Sequence, residues 1–172
     1  PFQYSQKMLG GSCPDNHYPT MKFKDILNLD VASISDDDSV LLIWASSAYI
    51  RGAIEVMTAW GFDYKTIAFT WQKLNKSGSD SATPGFWTMS QNEFVLLGTK
   101  GHPLKYIKKR NVRQNVKSIK GRHSEKPDII KDLIVEMFPT TTKIELFSRK
   151  KTDGWDSWGN ELTNNITLTC KK

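Results

Sequence analysis

Cysteine is scarce in this 172-residue chain: Cys13 and Cys170 stand near opposite ends, without the spacing of metal ligands. That argues against a disulfide-stapled scaffold and a local thiolate metal centre. It suits a reducing compartment, with a bond between the two as the minor alternative. Long apolar runs are missing as well. The longest, Val40-Leu41-Leu42-Ile43-Trp44-Ala45, is far too short to span a bilayer, no signal-peptide pattern opens the chain, and no internal repeat is visible. Acidic residues thin out in one place. Between Lys100 and Lys126 a single one, Glu125, faces ten basic residues, in a chain of net charge +6. Such a segment attracts a phosphate backbone through counterion release, and the plain alternative is a solvated basic loop.

What is present reads as one globular, soluble domain over 1–172, with 38% apolar and 24% charged residues and length enough for a core. Residues 1–16, with Gly10-Gly11-Ser12 and Pro14-Asp15-Asn16, read as a mobile loop. A short helix is expected over Lys22–Leu29 and a buried strand over 40–45, after a solvated Asp36-Asp37-Asp38 turn. Apolar residues Tyr49, Ile50, Ala53, Val56, Met57 and Trp60 recur at helical spacing, and Gly61 stops that helix. Strands follow at 64–72 and 93–99, separated by a Gly/Ser-rich loop, 75–85, that suits a substrate lid. The stretch 100–122 lacks a clear period. Pro127 opens a helix to about Met137, with Ile129, Ile130, Leu133, Ile134 and Met137 inward. Strand 143–149 comes next, and 163–172 is a final strand or a tail. This alternation predicts an α/β fold: a mostly parallel sheet with helices on both faces.

The richest stretch is KIELFSRKKTDGWDSWGNE, 143–161. A strand ends in Ser148-Arg149, and a basic loop then leads to Gly154-Trp155 and Trp158-Gly159-Asn160-Glu161. Polar groups just past the carboxyl end of a strand are where open α/β sheets hold ligands. An edge strand with an aromatic-capped loop is the bland alternative.

Together with this stretch, HYPTM near the start, GFDYKTIAFTWQK, NEFVLLGTKG and HSEKPD occur in an order that resembles the MT-A family of S-adenosylmethionine-dependent adenine methyltransferases, over about residues 15–162. The resemblance implies a Rossmann-like methyltransferase fold. It also implies transfer of a methyl group to the exocyclic amine of adenine in nucleic acid. The family's catalytic Asp-Pro-Pro-Trp tetrapeptide is absent from these 172 residues. The opening PFQYSQKMLGGSCPDNHYPTM is like the stretch that follows it, so the sequence is expected to begin just downstream, and no catalytic residue is assigned.

By the same resemblance, Lys126 in HSEKPD would face the methionine carboxylate of S-adenosylmethionine, with Ser124 beside it and capping the helix. Phe147, Arg149, Asn160 and Glu161 would contact the nucleoside portion, with Glu145 placed to hold Arg149. On the substrate side, Tyr18 would lie near the target base and Glu93 near the acceptor pocket. Lys108, Lys109, Arg110 and Arg113 are the candidates for phosphate contact, and no metal is required. DNA is favoured over RNA because the chain is compact and resembles small bacterial and phage members. A homodimer or a heterodimer with a related subunit stays open. The expected location is the cytoplasm of a bacterial or phage-infected cell, or the nucleus of a eukaryote. The alternatives are a catalytically silent subunit of this type and a nucleic-acid-binding module.

Overall fold

The apolar run 40–45 forms the body of strand β1 (Ser39–Ser46) in the computed structural model, which describes residues 21–85, 87–121 and 125–171. The chain divides into two units, one of residues 36–141 and one of residues 1–35 with 142–172. No helix among the described residues is long and apolar enough to cross a membrane.

In the 36–141 unit, β1 leads into helix α2 (Ile50–Ala59), which follows the short α1 (Phe23–Leu27) of the other unit. Ala53, Val56, Met57 and Trp60 are buried on one face of α2, as the spacing required. Gly61 ends it at φ +86°. The Phe62 N–H donates to Met57 O (2.9 Å) and the Gly61 N–H to Thr58 O (3.0 Å), so the last carbonyls are satisfied. Strand β2 (Asp63–Leu74), the hairpin of β3 (Thr83–Pro84) and β4 (Met89–Ser90), then β5 (Asn92–Lys100), β6 (Asn115–Ile119) and helix α3 (Asp128–Met137) complete the unit.

The sheet order is β1-β5-β2-β6, and the expectation of a mostly parallel sheet is corrected here. β5 pairs antiparallel with both β1 and β2, and only β2 and β6 are parallel. The reason lies in the connection. No crossover helix separates β2 from β5, and parallel neighbours need one, so the chain turns back through the β3–β4 hairpin and inserts between β1 and β2. β1 and β2, joined through α2, still run the same way but do not touch.

Helices do cover both faces of this sheet. Val95 on β5 packs with Phe69, Val116 and Ile130 of α3. Its neighbour Gly98 lies three residues on, toward the other face, where a Cβ would meet Met57 Sδ at 3.3 Å and Phe62 Cβ at 3.4 Å. Leu133, Ile134 and Met137 join the α3 contact, but Ile129 is 44% exposed rather than inward.

The other unit holds α1, with Ile26 buried, and a parallel pair of short strands, β7 (Ile144–Leu146) and β8 (Asp156–Trp158). β7 is shorter than the expected 143–149 because Phe147 adopts φ 59°, a left-handed conformation that a strand cannot contain. Leu168 is buried and Cys170 bridges Leu29, so the described part of 163–172 is engaged with 28–30. The expected mobile loop 1–16 and Cys13 lie outside the described residues.

Candidate functional site

Three strands of the 36–141 unit bring their carboxyl ends to one place on the α3 face. Trp44 comes from β1, Trp71 and Lys73 from β2, and Ser118 from β6. Glu93, at the amino end of the reversed β5, is paired in register with Trp71. Directly opposed residues share a sheet face, so Glu93 is aimed at the same side as Trp71 and Lys73. Lys126, just before α3, completes the group.

Its geometry is closed and complementary. Lys73 Nζ donates to Glu93 Oε1 at 2.6 Å and Lys126 Nζ to Oε2 at 2.5 Å. The Glu93 side chain is 17% exposed and the two lysines are about one-third exposed, at 30% and 32%. Each ammonium also stands over an indole: Lys73 5.3 Å from Trp71, Lys126 5.3 Å from Trp44. The two rings meet edge to face at 6.0 Å, and the Trp71 Nε1–H donates to Ser118 Oγ at 2.7 Å. Burial by itself would raise the Glu93 carboxyl, but Lys126 and then Lys73 outweigh it and hold it below its ordinary range. An ionised carboxylate has about four acceptor positions, so both oxygens keep capacity for another donor.

In the 142–172 unit, Ser148 is buried and its Oγ lies 2.8 Å from Glu145 Oε2 and 2.7 Å from Lys150 O. Its N–H donates to Trp158 O at 3.0 Å, and the Phe147 and Trp158 rings meet at 5.4 Å. Gly159 is required here, because a Cβ would collide with the Ser148 carbonyl oxygen. Asn164 Oδ1 accepts from the Gly159 N–H (2.7 Å) and Asn165 Oδ1 from the Ser157 N–H (2.6 Å). These contacts bind the turn after β7 to the loop after β8. They leave Arg149, Asn160 and Glu161 exposed on it, with Arg149 Nε donating to Glu161 Oε1 at 2.9 Å.

Of the residues singled out in the sequence, the structure joins Glu93 to Lys126, and Phe147 and Arg149 to the Trp158–Glu161 loop. Tyr18 and Ser124 lie outside the described residues. Lys108, Arg110 and Arg113 are exposed and make no ion pair with a described residue, whereas Lys109 is paired with Glu136. That pair borders a groove of about 360 Å³ with Val112, Arg113, Lys117 and Ile129. Asp38, from the acidic turn, accepts the His102 N–H at 2.7 Å and pairs with Lys105. Sequence reasoning missed Lys73, Trp44 and Trp71. Nothing in their spacing marks them, since only the β2–β5 register brings Lys73 to a carboxylate twenty residues away.

The MT-A70 family model matches residues 3–161. The chain belongs to the MT-A70 family. It is 44% identical over 148 residues to the type II methyltransferase M.MunI of Mycoplasma sp, a match covering 86% of this chain and 61% of that protein. It is 29% identical over 149 residues to the N(6)-adenosine-methyltransferase subunit METTL3 of Danio rerio, covering 84% and 25%. Against the N6-methyladenosine RNA methyltransferase MTA1 of Cryphonectria parasitica it is 26% identical, covering 78% and 40%. The chain thus spans about three-fifths of M.MunI and about a quarter of METTL3. As an MT-A70 chain it carries NEFVLLGTKG and HSEKPD, distant in sequence, with their Glu93 and Lys126 in direct contact.

Proposed function

We propose that this chain is an S-adenosylmethionine-dependent methyltransferase domain acting on the exocyclic amine of adenine, in DNA rather than RNA. The observation that carries it is the partly buried Glu93 carboxylate, held ionised between Lys73 and Lys126 at the carboxyl ends of β1 and β2. The 44% identity to a type II methyltransferase is the support for DNA. In this reading the chain forms one domain of Rossmann-like methyltransferase type, β5 being its reversed strand.

The residues present suit the cofactor by their chemistry. Arg149, Asn160 and Glu161 offer donors and acceptors for ribose hydroxyls and an adenine edge, with Phe147 adjoining. Lys126 offers a cation for a carboxylate, and Glu93 keeps its second partner, Lys73, when Lys126 is so engaged. When bound, S-adenosylmethionine supplies a methyl carbon already activated by the sulfonium charge. The harder problem is the amine, whose lone pair is delocalised into the purine ring. Glu93, accepting a hydrogen bond from that amine, would localise the lone pair in a site already arranged for it. The family's Asp-Pro-Pro-Trp residues are not among these 172, so Glu93 is the acceptor this chain itself provides.

The test is methyl transfer by the full-length protein from isotopically labelled S-adenosylmethionine to DNA and RNA oligonucleotides, with the product nucleoside identified by mass spectrometry. N6-methyladenine in DNA is the expected product. Cofactor binding without transfer to either nucleic acid would favour the silent-subunit reading. Transfer to RNA alone would overturn the substrate assignment.

A further inference from the structure

Trp87 is 97% exposed, whereas Trp60 and Trp71 are 3% and 2% exposed. An indole left wholly in water forgoes the burial that normally makes tryptophan worth placing. It is nevertheless held on a built element. Pro84 pairs with Met89 across the β3–β4 hairpin, and Gly85, Trp87 and Thr88 lie in the turn between them. The turn is tight, since a Cβ on Gly85 would approach the Thr88 carbonyl oxygen to 2.6 Å.

The root of this arm is fastened beside the candidate site. The Ser81 N–H donates to Lys73 O at 2.9 Å and the Lys73 N–H to Gln91 O at 3.1 Å. Lys120 Nζ donates to Ser81 Oγ at 3.0 Å. Gln91 is two residues from Glu93, so the arm springs from the end of β2 where the Glu93 cluster lies. The two segments forming the root, 71–81 and 115–121, contain four lysines and one acid, Asp80, which accepts from Gln72 at 2.8 Å. An apolar protein surface seated on Trp87 would leave Lys76, Lys117 and Lys120 without counter-charge among the described residues, Lys73 alone being paired, with Glu93. A nucleic acid offers phosphates to the lysines and a flat base to the ring.

We propose that Trp87 is a base-stacking residue: its ring packs on a base of the nucleic acid whose adenine is presented to Glu93. This rests on the nucleic-acid reading above and adds to it the side chain that grips the bases. Stacking on a π-face is indifferent to sequence, so Trp87 contributes affinity and placement rather than target choice.

The experiment titrates labelled adenine-containing DNA with full-length wild-type protein and the Trp87→Ala and Trp87→Phe variants, over a series of salt concentrations. Trp87→Ala weakens binding about 5- to 100-fold, the range for removal of one base–aromatic stack, and Trp87→Phe weakens it far less. The log–log salt slope stays as in the wild type because every cation that neutralises a phosphate is still in place. Affinity for S-adenosylmethionine is unchanged. In a scan of single abasic sites, one position weakens wild-type binding while leaving the Ala variant unaffected. Wild-type affinity in the Ala variant would overturn the proposal, as would a changed sedimentation mass, which would make the arm a protein interface. A wild-type protein that binds no nucleic acid overturns the functional reading itself. An Ala variant that binds and methylates DNA like the wild type overturns only the stacking role.

Discussion

Glu93 has two cationic partners, and that makes it pH-sensitive in a defined direction. Its carboxyl titrates below the ordinary value in the folded protein, so its contribution to stability is present above about pH 4.5 and is lost as pH falls through the folded value. Glu93→Gln should therefore destabilise the fold at pH 7, by about 1–3 kcal/mol after discounting for partial exposure, and should flatten the acid limb of the stability profile. Thermal denaturation between pH 3 and pH 7 measures both, and an unaltered acid limb would refute the assignment. Lys126 and Arg149 are separable by similar means. Each substitution to Ala should weaken S-adenosylmethionine binding by about 1–3 kcal/mol in calorimetry. Only Lys126→Ala should also lower the melting temperature, because it strips one of the two partners from the partly buried Glu93, whereas Arg149 pairs with Glu161 at the surface.

At the scale of elements, the 142–172 unit depends on two close-fitting loops more than on its three-residue strands. Gly159 permits the backbone of the β8 loop to lie against Ser148, and Phe147 accepts a left-handed backbone so that the chain can leave β7 there. Gly159→Ala should push these segments apart, at a cost of about 1–3 kcal/mol typical of overpacking, and should reduce cofactor affinity without altering DNA binding. Paired calorimetric and anisotropy titrations test this. Equal losses for both ligands would point to general unfolding instead.

For the molecule as a whole, a net charge of +6 favours polyanions, but the cations differ in what they are free to do. Lys105 is paired with Asp38, Lys109 with Glu136 and Lys126 with Glu93. The Lys108, Arg110 and Arg113 triple Ala variant should weaken binding to all DNA sequences alike and flatten the log–log salt slope by about 0.7–0.9 for each phosphate no longer neutralised. Target preference should survive, since phosphate contacts position and base contacts specify. Lys109→Ala should change the slope less, its charge already being offset. A triple variant with the wild-type slope would send the search for the nucleic-acid path to the Lys76, Lys117 and Lys120 side.

The elements with a strong local signature were legible in the amino-acid order. The period of Ala53, Val56, Met57 and Trp60, the stop at Gly61, and the apolar runs of β1 and β5 define their elements through contacts a few residues apart. The family resemblance was legible too, because NEFVLLGTKG, HSEKPD, IELFSR and WGNE are contiguous strings. Sheet direction was not, since whether a strand returns antiparallel depends on the 75–91 connection, whose hairpin has weak local propensity. Nor was β6, which lies in a basic stretch without period and becomes a strand only by pairing with β2. The clearest case is Glu93. Its residue type and motif were visible, but that it would be ionised, backed by Lys73 and flanked by Trp44 and Trp71, is a consequence of strand register and of the partly buried, charged surroundings that register creates.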